Sequence, residues 1–119
     1  MYSAITLRRR IEKLSAENDM RLTYHLKNIR VNGVFQGCSG HIVDSSTGTC
    51  IYVNNEAFGY QPLAGKAMYR LARDEKDFSS NSMRNGYNRW CKEESLPHCI
   101  VNLMKDERRK RNDEIPCGA

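Results

Sequence analysis

Lys66, Arg70 and Arg73 recur at i, i+4 and i+7, the spacing that places three cations on one face of a helix. Such a stripe can meet successive phosphates, each contact adding a salt-dependent attraction. Lys76, Arg84 and Arg89 extend the basic character, and Phe78, Tyr87 and Trp90 are interleaved with them. Aromatic faces beside guanidinium groups suit base stacking, or the anchoring of a protein interface. The candidate binding residues are therefore Lys66, Arg70, Arg73, Lys76, Arg84, Tyr87, Arg89 and Trp90. The plain alternative is a solvated helix face beside core aromatics.

A second constellation, Cys38-x-x-His41 with Cys50, Cys91, His98 and Cys99, invites a zinc reading. Side chains alternate along a strand, so Cys38 and His41 point to opposite faces. The paired C-x₂₋₄-C knuckles of structural zinc sites are missing from the sequence. No metal or cofactor site is assigned, and Cys38, Cys50 and Cys99 are read as reduced core thiols. For catalysis, a nucleophile needs a base beside it and a third group to orient that base. The three histidines are isolated, and no Gly-x-Ser-x-Gly, His-Glu-x-x-His, Walker or dinucleotide motif occurs. Gly37-Cys38-Ser39-Gly40 lies mid-strand, where glycines serve a close backbone approach. No catalytic residue is assigned, and the chain is read as non-enzymatic. The run Arg108-Arg109-Lys110-Arg111 sits among Asp106, Glu107, Asp113 and Glu114, the mixture of a solvated helix end.

The elements that hold these residues follow from periodicity. Residues 3–17 form an amphipathic helix, with Ser3 as N-cap and Ala4, Leu7, Ile11 and Leu14 on one stripe. Asn18-Asp19 stops it, and Arg8-Arg9-Arg10 spread around its circumference. Three strands follow at 21–31, 34–43 and 49–54. Asn32-Gly33 makes the first turn a type I′ hairpin, and Gly48 closes the second loop in the left-handed region. Leu22, Tyr24 and Leu26 alternate, then Ile29 and Val31 slip by one, so a bulge is expected near Lys27-Asn28. With that bulge, Ile29, Val31, Val34, Cys38, Gly40, Ile42, Cys50 and Tyr52 share one face. Phe35, His41, Val43, Ile51 and Val53 take the other.

Pro62 opens a second helix over 62–74, with Leu63, Ala64, Ala67, Met68 and Leu71 as its apolar stripe. Residues 77–88, rich in Ser, Asn and Gly, read as a loop. Ser95 caps a last helix over 95–110, striped by Leu96, Cys99, Ile100, Leu103 and Met104. The expectation is an α+β fold: a three-stranded antiparallel meander packed by two to three helices. The two later helices should lie on the face bearing Leu26, Ile29, Val31, Ile42 and Tyr52.

A chain of 119 residues forms one domain, divided into an N-terminal helix (1–19), a sheet (20–55), a helical part (62–111) and a flexible tail (112–119). No apolar run approaches the roughly 20 residues needed to span a bilayer. The arginine triplet follows the first apolar residues, the reverse of a secretory signal, so a cytoplasmic location without membrane association is expected. Five cysteines, an odd number, stay reduced there. A net charge of +5 favours acidic partners.

The expected function is a small binding protein that engages nucleic acid or a nucleoprotein through the basic face and the Arg84–Trp90 segment. In size, charge and cysteine content, though in no particular motif, the chain resembles small phage- or plasmid-borne accessory proteins, including anti-CRISPR-type inhibitors. That resemblance implies the alternative of an inhibitor or adaptor docked on an acidic surface of a protein complex. The two edges of a three-stranded sheet also leave a homodimer open.

Overall fold

Ser3 caps the first helix, its Oγ accepting a hydrogen bond from the Thr6 amide at 3.2 Å. The computed structural model describes residues 1–54, 66–72 and 87–114. Helix α1 (Ala4–Glu17) buries Leu7, Ile11 and Ser15, and Asn18 forms its C-cap. Asp19, with φ 53°, turns the chain out of the helix. Strands β1 (Leu22–Val31), β2 (Val34–Asp44) and β3 (Thr49–Asn54) then form the expected meander. Asn32 and Gly33 both have positive φ, 52° and 80°, as a type I′ turn requires. Gly48, at φ 75°, donates its amide to the Asp44 carbonyl at 2.8 Å and closes the second turn.

The sheet has five strands, not three. β4 (Lys66–Ala72) and β5 (Tyr87–Lys92) extend it antiparallel, in the order β1-β2-β3-β4-β5. The helix expected over 62–74 is therefore corrected where it is described. Ala67, Leu71 and Met68 fit a helical stripe, yet Ala67, Tyr69 and Leu71 also alternate, and these three are buried. Pairing with β3 satisfies both the backbone and that alternation, so the two-residue period wins. The loop expected over 77–88 likewise gives way to a strand at Tyr87, while 73–86 lies outside the described residues. After a 3₁₀ turn at Glu93–Ser95, helix α2 (Leu96–Glu114) runs past the expected end at 110 and through the first residues assigned to the tail.

Two details of register also differ from expectation. β1 advances two residues from Asn28 to Arg30 while β2 covers three, from Cys38 back to Phe35. The extra residue thus belongs to β2, where Gly37 takes φ 88°, and not to Lys27-Asn28. Across the second turn Asp44 pairs with Thr49, so Ile42 faces Ile51 and Gly40 faces Val53. Cys50 and Tyr52 accordingly lie on the face opposite Ile42, and Ile51 and Val53 join the core.

α1 and α2 pack beside each other on one face of the sheet. Leu7 and Ile11 of α1, and Leu96, Ile100 and Met104 of α2, meet Ile42, Ile51, Val53, Ala67 and Tyr69 there. The helices are thus the N- and C-terminal ones, not two C-terminal ones. Ile29 and Val31 stand outside this core, and Val31 is 49% exposed near the hairpin tip. Asp44, fully buried, ties α2 to the end of β2. Arg108 Nε donates to its Oδ2 at 2.6 Å and Nη2 to Oδ1 at 2.9 Å. Among the described residues no helix is long and apolar enough to cross a membrane.

Candidate nucleic-acid interface

Both described helices cover one face of the sheet, and on the other face the described residues are strand side chains. Register places His25, His41, Tyr52 and Arg70 opposite one another, in a row that crosses four adjacent strands on this face. At about 4.8 Å per strand the row spans about 14 Å. The His25 and His41 rings stack with centroids 4.5 Å apart and planes 17° from parallel. Arg70 Cζ stands 5.4 Å from the centre of the Tyr52 ring, a cation–π contact that orients the guanidinium.

The neighbouring row runs Lys27, Ser39 and Asn54 and, one strand beyond the backbone of Met68, Trp90. Lys27 is exposed at one edge, and Trp90 is 43% exposed at the other. Lys92 extends the exposed cations at the Trp90 edge. Cys50 and Asn54 on this face are buried, so access is greatest toward the two edges. Near β1 the surface sinks into an open cavity of about 800 Å³ whose lining includes His25, Lys27, Arg30, Ser39, His41 and Tyr52.

Gly40 sets the geometry of the histidine pair. It holds φ +145°, and a Cβ there would lie 1.9 Å from the His25 carbonyl oxygen. Only glycine lets β1 come this close to β2, beside the residue that precedes His41. Charge is segregated about the sheet. Among the described outward positions of the five strands no Asp or Glu occurs, whereas Lys27, Arg70 and Lys92 do. The one acidic residue in these strands, Asp44, points to the helix side and is neutralised by Arg108. Burial opposes its ionisation, but hydrogen bonds from Arg108 and Ser46 outweigh this and hold the carboxyl below its usual range.

Of the residues singled out in the sequence, Arg70 and Trp90 come together on this face. Lys66 opens β4 opposite Lys92 in the backbone register, and Tyr87 pairs with Leu71, but their side chains lie outside the description. Arg89 is exposed on the opposite side of β5, level with Tyr69. Arg73, Lys76, Arg84 and Phe78 lie outside the described residues. The helical stripe Lys66/Arg70/Arg73 is corrected, since its first two members belong to a strand.

His25, Tyr52 and Lys27 were not singled out as site residues by sequence, and His41 was weighed only as a metal ligand. Their signal was the Asp44–Thr49 pairing, which aligns His41 with Tyr52. In the C-terminal run Arg108 is committed to Asp44, while Arg109 and Lys110 pair with Asp106 and Glu107 one turn back. Among the described residues no three Cys, His, Asp or Glu side chains converge as metal ligands would. No known protein family, curated protein or solved structure matches this chain.

Proposed function

We propose that the chain is a non-catalytic binding module that takes single-stranded nucleic acid, free or within a nucleoprotein, across the face of its sheet opposite the two described helices. The observation that carries this reading is the acid-free row His25–His41–Tyr52–Arg70, flanked by Lys27, Lys92 and Trp90. Sheet faces bearing aromatic side chains accept unstacked bases, and the cations beside them meet the phosphates. A duplex hides its base faces and gains little from such a platform. The location is the cytoplasm, where nucleic acid and reduced thiols coexist.

The test is a mobility-shift assay with a 20-nucleotide single strand, as DNA and as RNA, against the matching duplex. Retardation of the single strands at 50 mM salt, falling by an order of magnitude or more at 200 mM, is expected. No retardation at 50 mM salt refutes the reading. The rival is an inhibitor or adaptor docked on an acidic protein surface, and the exposed Trp90 favours it as an anchor. An anchored protein interface would keep most of its affinity across the same salt range.

A further inference from the structure

The cavity beside β1 lies where the row of outward side chains ends. β1 is the outermost strand of the sheet, so a nucleic-acid strand laid along Arg70, Tyr52, His41 and His25 runs out of platform there. The volume of about 800 Å³ falls within the range of sites that enclose small ligands. His25 and His41, Lys27 and Arg30, and the hydroxyl residues Ser39 and Tyr52 are in its lining, and no Asp or Glu is. Lys27 and Arg30 are exposed, and neither makes an ion pair among the described residues. The stacked rings of His25 and His41 each carry at least one N–H donor.

We propose that this cavity is a site for a nucleotide's phosphate monoester, supplied by the free end of the strand that lies along the row. The source of the phosphate rests on the nucleic-acid reading; the chemistry of the cavity does not. An internal phosphate carries one charge and is tied to sugars on both sides, so it passes over a flat face and does not enter a recess. A terminal phosphate carries about −1.5 to −2 charges at pH 7 and presents three acceptor oxygens. Two cations without carboxylate partners match that charge, and the imidazole N–H groups and hydroxyls match the oxygens. The cations at the far edge, near Trp90, have no described cavity beside them, so the preference belongs to one end of the strand.

The test uses the full chain and a 20-nucleotide single strand labelled at an internal base, prepared with a 5′-phosphate, with a 3′-phosphate or with neither. Fluorescence anisotropy at 50 mM salt should show affinity about ten-fold tighter for a phosphate at one end and little change for the other, which also gives the polarity of the strand. Equal affinity of all three strands, or an equal gain at both ends, would overturn the proposal, the second outcome being general attraction to a basic protein. Lys27→Gln should cut the gain to about three-fold or less, while Arg109→Gln, exposed on α2, should leave it at about ten-fold. A gain that survives Lys27→Gln in full would place the phosphate elsewhere. A second arm titrates a nucleoside monophosphate and the bare nucleoside against the imidazole NMR signals. The monophosphate alone should shift His25 and His41. If it does so while no strand binds, the nucleic-acid reading fails and the cavity stands as a site for a free nucleotide; no shift and no end preference would remove the site itself.

Discussion

At the scale of single residues, Gly40 and Asp44 carry the sharpest consequences. Gly40→Ala introduces a Cβ against a backbone carbonyl, which no rotamer change can relieve. We expect a loss of about 3 kcal/mol or more in urea unfolding, together with loss of the His25–His41 contact in imidazole NMR spectra. A change under 1 kcal/mol would mean that β1 and β2 are farther apart than described. Asp44 makes a different argument. Its carboxyl is held below the usual value of 3.8, so the stability it contributes is full above that value and is lost as pH falls below it. Arg108→Met leaves a buried carboxylate without its cation and should cost about 3 kcal/mol at pH 7. As the pH falls toward 2 and Asp44 takes up its proton, the gap between the variant and the parent should narrow. An equal gap at both values would show that Arg108 acts by packing alone.

At the scale of elements, α1 shows how a helix of mixed composition earns its place. Its arginines face water or cover aromatic rings, as Arg10 does over Tyr2 at 4.8 Å, while Leu7 and Ile11 are fully buried against α2 and the sheet. Leu7→Ala should cost about 3 kcal/mol, whereas Ile5→Ala, at a position 62% exposed, should change stability by about 0.5 kcal/mol or less. Equal effects in chemical denaturation would show that α1 is docked by another face. β4 teaches the converse. Its residues satisfy a helical and an extended pattern at once, and a neighbouring strand edge decided between them.

For the whole molecule, the segregation of charge about the sheet matters more than the net +5. Acids and cations mix on the helix side, as in Arg109–Asp106 and Lys110–Glu107, while the described outward strand positions carry cations alone. If the outer face holds a strand of nucleic acid, Arg70→Ala should lower the salt slope of binding by about 0.7, one phosphate contact on a single strand. Trp90→Ala should weaken binding by about 1–3 kcal/mol at every salt concentration, because stacking is not screened. Fluorescence anisotropy from 50 to 200 mM salt separates the two, and identical behaviour of both variants would count against a stacking role for Trp90.

What the sequence determined by itself was local. Ser3 as a cap, Asn32-Gly33 as a type I′ turn, Gly48 as a loop closer and the strand 49–54 all rest on contacts within a few residues, and each is present. So are the buried thiol Cys38 and the apolar stripe of the last helix, whereas Cys50 is buried on the face opposite the one expected. The tertiary structure alone decided matters that depend on distant partners. Whether 66–72 coils or extends turned on β3 offering an unpaired edge, and the side of the sheet taken by Tyr52 turned on one residue of register at Asp44–Thr49. A shift of one residue exchanges every side chain between faces, so the row from His25 to Arg70 became visible only once all the strands were aligned.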